Sequence, residues 1–165
     1  MSIVGTKGGK GLYYITEVVV GIRSLNFVKP LDFVIDTGAS KTIISETQAK
    51  IHGINVRDLK NKFPVIGIAG AAWVSWARGV TLKFKKEDGE LYTVDLVSIG
   101  VISAMSTSLI CPNCGHHYKR IIRVDPVYEI KKPYGRPNLM GIDVLENYNV
   151  RYSDDKEEMY LDIIE

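Results

Sequence analysis

The stretch Leu31–Thr42 constrains this chain more than any other. Phe33, Val34 and Ile35 are aromatic or β-branched and predict a strand. The carboxylate of Asp36 follows directly. Thr37, Gly38, Ala39 and Ser40 come next, all small or hydroxylated, so the backbone can turn sharply and approach whatever Asp36 touches. An arbitrary Asp at a strand end is a turn residue or a helix cap. The rest of the chain decides whether Asp36 is more than that.

At 165 residues the chain is one domain, and it is long enough to bury a core without staples. The formal net charge is +2, with Lys and Arg scattered among acids, so no nucleic-acid patch is expected. Residues 63–77 and 96–118 lack formal charge. The first is Gly-broken and the second carries Ser, Asn, Pro and His, so no membrane span is expected from either. Residues 1–11 are Gly- and Lys-rich with no apolar segment. They read as a flexible arm, and the protein as cytoplasmic.

Taken in order, Tyr13–Val20 reads as a strand, and Asn26–Pro30 leads into the strand that ends at Asp36. Thr42–Ile44 is a short strand. Ser45 is placed to cap a helix over Glu46–Ile51. Phe63–Ala69 and Trp73–Lys85 form a hairpin whose tip, Gly67, Ile68, Ala69, Gly70, Ala71 and Ala72, is rich in glycine and alanine. Asp88-Gly89 marks the next hairpin turn, before a strand over Leu91–Ile99. Residues 101–137 read as an insertion, with strands near Tyr118–Val124 and Val127–Lys131. Leu139 and Met140 read as a buried strand, Gly141 as a close backbone approach, and Ile142–Tyr148 as a short helix in which Asp143 serves a cap or the helix dipole. Asn149–Tyr152 and Glu158–Ile164 form a last hairpin. The expected class is all-β, a small closed barrel-like sheet over residues 12–165 with one or two short helices.

Three features together resemble the retropepsin-like aspartic peptidases. They are Phe33–Ser40, the Gly-rich hairpin Ile66–Trp76, and Leu139-Met140-Gly141-Ile142-Asp143-Val144-Leu145. Their order and spacing agree with that family. In many viral members the position of Ser40 is acidic and that of Ile142 basic. Both are missing here, which resembles the cellular and prokaryotic branch. The resemblance implies that Asp36 is catalytic and that Thr37, Gly38, Ala39 and Ser40 form its loop. It implies that Gly67–Trp73 is a flap over an extended peptide substrate, and that Leu139, Met140 and Gly141 are structural.

Peptide hydrolysis by acid–base chemistry needs one group to activate water and another to protonate the substrate. Two carboxylates sharing a proton supply both. This chain has one Asp-Thr-Gly motif and is too short for two lobes, so the resemblance implies a homodimer that pairs Asp36 with Asp36 of the second copy. No cofactor or metal is needed for that reaction. The rival reading is a weak or inactive dimeric peptide-binding module of the same fold. Cys111-Pro112-Asn113-Cys114, followed by His116 and His117, leaves three states open: zinc ligation, a disulfide, or two reduced thiols.

Overall fold

The computed structural model describes residues 1–8, 12–56, 58–59, 62–67, 70–106, 108–110, 117–119 and 137–164. Among the described residues, twelve strands and two short helices follow the sequence in order. They are β1 (Ser2–Lys7), β2 (Tyr13–Ile22), β3 (Phe27–Ile35), β4 (Ile43–Ile44), α1 (Glu46–Ile51), β5 (Lys62–Gly67) and β6 (Gly70–Lys85). Then come β7 (Leu91–Ser106), β8 (Ser108–Ile110), β9 (His117–Lys119), β10 (Asn138–Met140), α2 (Ile142–Leu145), β11 (Tyr148–Ser153) and β12 (Glu158–Ile163). A short 3₁₀ turn, Arg23–Leu25, joins β2 to β3.

The main sheet has the order β11-β12-β1-β2-β3-β10-β4-β7-β6-β5, and a further pairing of β2 with β6 closes it. The closed ring is β2-β3-β10-β4-β7-β6, an all-β barrel as the sequence predicts. Closure depends on β2 dividing one of its edges. Tyr13 and Tyr14 pair with β1, whereas Val19–Ile22 pair with β6. The register of β2 against β3 shifts between Ile15 and Val18. Within that bulge Glu17 has φ of +54°, and its N–H donates to Asp32 Oδ1 at 2.9 Å. A bulge bends a strand and increases its twist, which is how barrels turn corners. Asp32 therefore has a structural part in the barrel. β6 divides an edge too: its first residues pair with β5 and its last with β2. Between them lies Gly79, with φ of +68°.

The barrel is filled by inward-facing apolar residues, with Ile22, Phe33, Ile44, Leu82, Phe84, Ile99 and Met140 all at most 1 % exposed. α1 forms where Ser45 predicts it: Ser45 Oγ accepts the Gln48 N–H at 3.2 Å, and Ala49 is the buried residue of the helix.

Four sequence readings need correction. Ser2–Lys7 is not a flexible arm but β1, paired along its length with β12. Its local sequence is weak, and the strand exists because Glu158–Asp162 offers a partner. Residues 101–106, assigned to an insertion, continue β7, because Ala71–Ser75 in β6 extends the ladder opposite them. Pro30 stands within β3, opposite Val19, rather than before the strand. The second helix stops at Leu145, and Tyr148 already belongs to β11. The strands expected near 118–124 and 127–131 fall mainly outside the described residues, where only His117–Lys119 is placed, paired with Ser108–Ile110.

Candidate active site

β10 is three residues long and holds two neighbours. It runs parallel to β3, with Leu139 opposite Val34 and Met140 opposite Ile35. On its other side Leu139 pairs antiparallel with Ile43 of β4. The loop between β3 and β4, residues 36–42, is thus carried by one short buried strand. Asn138 sets the base of this arrangement. It is 1 % exposed, its Oδ1 accepts the Ser45 N–H at 2.9 Å, and its Nδ2 donates to Asp32 O at 2.9 Å. Sequence reasoning missed Asn138. The available signal was a polar residue opening an otherwise apolar strand.

Asp36 leaves β3 with its N–H donating to Met140 O at 3.0 Å. The chain then turns, and Ala39 N–H donates to Asp36 O at 3.1 Å. Gly38 N–H donates to Asp36 Oδ1 at 2.9 Å, which orients the carboxylate. A Cβ on Gly38 would stand 3.2 Å from that oxygen, so glycine leaves this side of the carboxylate open. Asp36 and Ala39 are half-buried, while Thr37, Gly38 and Ser40 are exposed in the single chain.

The return limb is fastened more tightly. Ile142 N–H donates to Ala39 O at 2.8 Å, and Gly141 N–H to Thr42 Oγ1 at 3.1 Å. Asp143 Oδ1 accepts both the Thr42 N–H at 2.9 Å and the Thr42 hydroxyl at 2.8 Å. Gly141 is the close approach predicted for it: a Cβ there would lie 2.5 Å from Lys41 C and 2.7 Å from Ala39 O. Asp143 lies in the first turn of α2, where the dipole reading put it, but it does not cap the helix. Gly141 holds the N-cap position of α2 with no side-chain cap bond, and the Asp143 carboxylate crosses to Thr42 instead.

The residues expected in a flap lie on the β5–β6 hairpin. Gly67 pairs with Gly70, Ile66 with Ala71, Val65 with Ala72 and Pro64 with Trp73. Ile68 and Ala69 lie outside the described residues. Trp73 is 37 % exposed and Ala72 is buried. β7 connects this hairpin to the Asp36 loop, because Gly100 lies opposite Ile43 on one side and Trp76 on the other. A side chain at Gly100 would collide with Val74 Cγ1 at 2.9 Å, so glycine keeps the three strands close. Cys111, Cys114 and His116 fall outside the described residues. Among the described residues no three His, Cys, Asp or Glu side chains are grouped to hold a metal. No helix among them is long and apolar enough to cross a membrane.

Residues 24–110, just over half of the chain, match the family described as "gag-polyprotein putative aspartyl protease". This span carries the Asp36 loop, α1 and the β5–β6 hairpin. Residues 90–151 match a family described as a zinc-ribbon containing domain. No curated protein matches the chain. Among solved structures, one similar to it is a retropepsin-like aspartic protease from Rickettsia conorii, at 16% identity over 98% of this chain and 90% of that one, with a TM-score of 0.49. Another is EIAV protease complexed with the inhibitor HBY-793, at 14% identity over 86% of this chain and 91% of that one, with a TM-score of 0.37.

Proposed function

The chain belongs to the retropepsin-like gag-polyprotein aspartyl protease family, and on that premise we propose that it is a homodimeric aspartic endopeptidase whose catalytic residue is Asp36. The observation that carries the proposal is the Asp36 loop itself: a half-exposed carboxylate, oriented by Gly38 N–H and clamped at both ends against residues 140–143, within the family-matched segment. One such carboxylate cannot act as base and acid together. A second copy related by a two-fold axis supplies the other. Two carboxylates a few ångströms apart share one proton, since both cannot be charged, and aspartic proteases are the standing example. The ionised member takes a proton from water as it attacks the peptide carbonyl, and the protonated member gives its proton toward the substrate.

In this reading the exposed Thr37 holds the paired loops across the axis. The β5–β6 hairpin, from Gly67 to Trp73, covers an extended peptide and excludes water from it. The substrate lies as an added strand with side chains in alternating pockets. The protein works in the cytoplasm, on peptides or proteins rather than nucleic acid.

The test is cleavage of a peptide library from acidic to neutral pH by the wild type and by Asp36→Asn. Loss of all cleavage, with fold and oligomeric state kept, is expected. An unchanged rate overturns the assignment of Asp36. A folded wild-type dimer that binds peptides without cutting them leaves the peptide-binding module as the function.

The zinc-ribbon match favours one of the three states open to Cys111 and Cys114. Two thiols with His116 and His117 are the donor set of a Cys₂His₂ centre, which zinc would occupy in a structural part. Elemental analysis of purified protein tests this. A folded sample free of zinc removes the metal and leaves thiol titration to separate a disulfide from free cysteines.

A further inference from the structure

We infer that Asp143 is the positioning residue of the Asp36 loop: its carboxylate fixes Thr42, and Thr42 fixes the limb along which the loop returns to the barrel. The inference rests on the proposed reaction of Asp36, and its test is built so that the two can fail separately.

Thr42 is 0 % exposed, and each of its polar atoms has a partner. Its C=O accepts the Gly100 N–H at 3.0 Å and its Oγ1 accepts the Gly141 N–H at 3.1 Å. Its own N–H and its hydroxyl proton both go to Asp143 Oδ1, at 2.9 and 2.8 Å. Since the hydroxyl already accepts from a backbone N–H, its proton has a defined direction, and Asp143 is the acceptor it meets. Two donors on one anionic oxygen make charge-assisted hydrogen bonds, shorter and stronger than neutral ones. The Asp143 side chain is only 11% exposed, with Lys41 Nζ 3.9 Å from its other oxygen.

The effect reaches Asp36 through the backbone. Residues 36–42 touch residues 140–143 at both ends. The outgoing end is held by Asp36 N–H on Met140 O, the middle by Ile142 N–H on Ala39 O, and the returning end by Thr42 on Asp143. The first two are backbone bonds that most substitutions would keep. The third depends on a side chain. Truncating Asp143 strands a buried hydroxyl and a buried N–H. The returning limb then keeps only the bonds that Thr42 accepts from the Gly100 and Gly141 N–H groups, and loses both of those that Thr42 donates. Catalysis by a carboxylate pair requires placement finer than this freedom allows, because a misplacement of about 1 Å can cost about a hundredfold in rate. Asp143 does not touch the reacting atoms, so its contribution is to kcat through geometry.

Three variants test this: Asp143→Ala, Asp143→Asn and Thr42→Val. Asn keeps an oxygen that can take both Thr42 donors. In Asp143→Ala, kcat falls by about tenfold to a hundredfold, with KM within about twofold and the oligomeric state unchanged. Asp143→Asn recovers most of the loss, with the pH profile of the wild type. Thr42→Val, which lacks the hydroxyl, follows Asp143→Ala and serves in its place should that variant not fold. A folded Asp143→Ala with wild-type kcat overturns the inference. So does an Asn variant as impaired as the Ala variant, which would assign the effect to charge. Amide hydrogen exchange gives a readout independent of activity: protection at Asp36, Thr42 and Gly141 drops in Asp143→Ala and returns in Asp143→Asn. Unchanged protection overturns the positioning role even if no substrate is cleaved. Altered protection in a chain without peptidase activity upholds it while the proposed reaction fails.

Discussion

At the scale of single residues, two positions make sharp predictions. Gly141 sits where a methyl group would meet only backbone, with Lys41 C, Lys41 O and Ala39 O all within 2.7 Å. Backbone cannot rotate away as a side chain can. Gly141→Ala is therefore expected to cost about 3 kcal/mol of stability, read from urea unfolding, and to displace the Asp36 loop enough to suppress cleavage. Tyr148 points the other way. It is 5 % exposed, packed edge-on against Phe84 and Tyr92, and its buried hydroxyl has no hydrogen-bond partner among the described residues. Burial, with Tyr92 beside it, pushes the phenol well above the ordinary tyrosine range. Tyr148→Phe keeps the ring and removes the stranded hydroxyl. It is expected to raise stability by about 1 kcal/mol in the same unfolding experiment. A loss would mean that the hydroxyl finds a partner in solution.

At the scale of elements, the terminal strands form a three-strand annex to the barrel, and Asp162 joins all three. Its carboxylate accepts from Ser2 Oγ in β1 at 2.5 Å and from Arg151 in β11 at 3.2 Å. Ser2 first, and then Arg151, hold this carboxyl below the usual aspartate value of 3.8. A carboxyl whose folded pKa is depressed adds stability above its unfolded pKa and loses it as pH falls through the folded one. The destabilisation caused by Asp162→Asn should thus be constant from neutral pH down to about 5, shrink below about 4, and vanish in stronger acid. Unfolding midpoints of both proteins across that range check it. This annex also marks the limit of local reading. α1 was legible because its cap, Ser45, and its first turn are consecutive. The Asp36 loop was legible because strand, carboxylate and turn residues adjoin. β1 was not, since Ser2–Thr6 pair with residues more than 150 positions away, and only Thr6 and Lys7 also meet the nearby β2. The bond from Thr42 to Asp143 was not legible for the same reason: the two lie 101 residues apart, and nothing near Asp143 points to Thr42.

At the scale of the whole molecule, the arrangement of strands bears on how two copies could meet. β1 is paired on both sides within one chain, by β12 and β2, and β12 is paired on both sides by β1 and β11. Among the described residues β12 is thus flanked on both sides, β1 meets β2 only at Thr6 and Lys7, and β11 and β5 are the outer strands of the sheet. The exposed Thr37, Gly38 and Ser40 of the Asp36 loop remain available for the two-fold contact the proposed dyad requires. If that loop makes most of the contact, no long ladder of interchain hydrogen bonds holds the pair, and its subunits should exchange readily. That makes the half-site measurable by mixing. Asp36→Asn subunits keep the fold and pair with wild-type subunits, and each mixed pair has one carboxylate where two are needed. With random pairing, the activity of a fixed amount of wild type falls in proportion to its share of all subunits: to about half with an equal amount of variant, and to about a tenth with a ninefold excess. A chain that cleaves as a monomer shows no such fall. A wild-type rate indifferent to added Asp36→Asn, under conditions where labelled subunits are seen to exchange, would place the whole reaction within one chain.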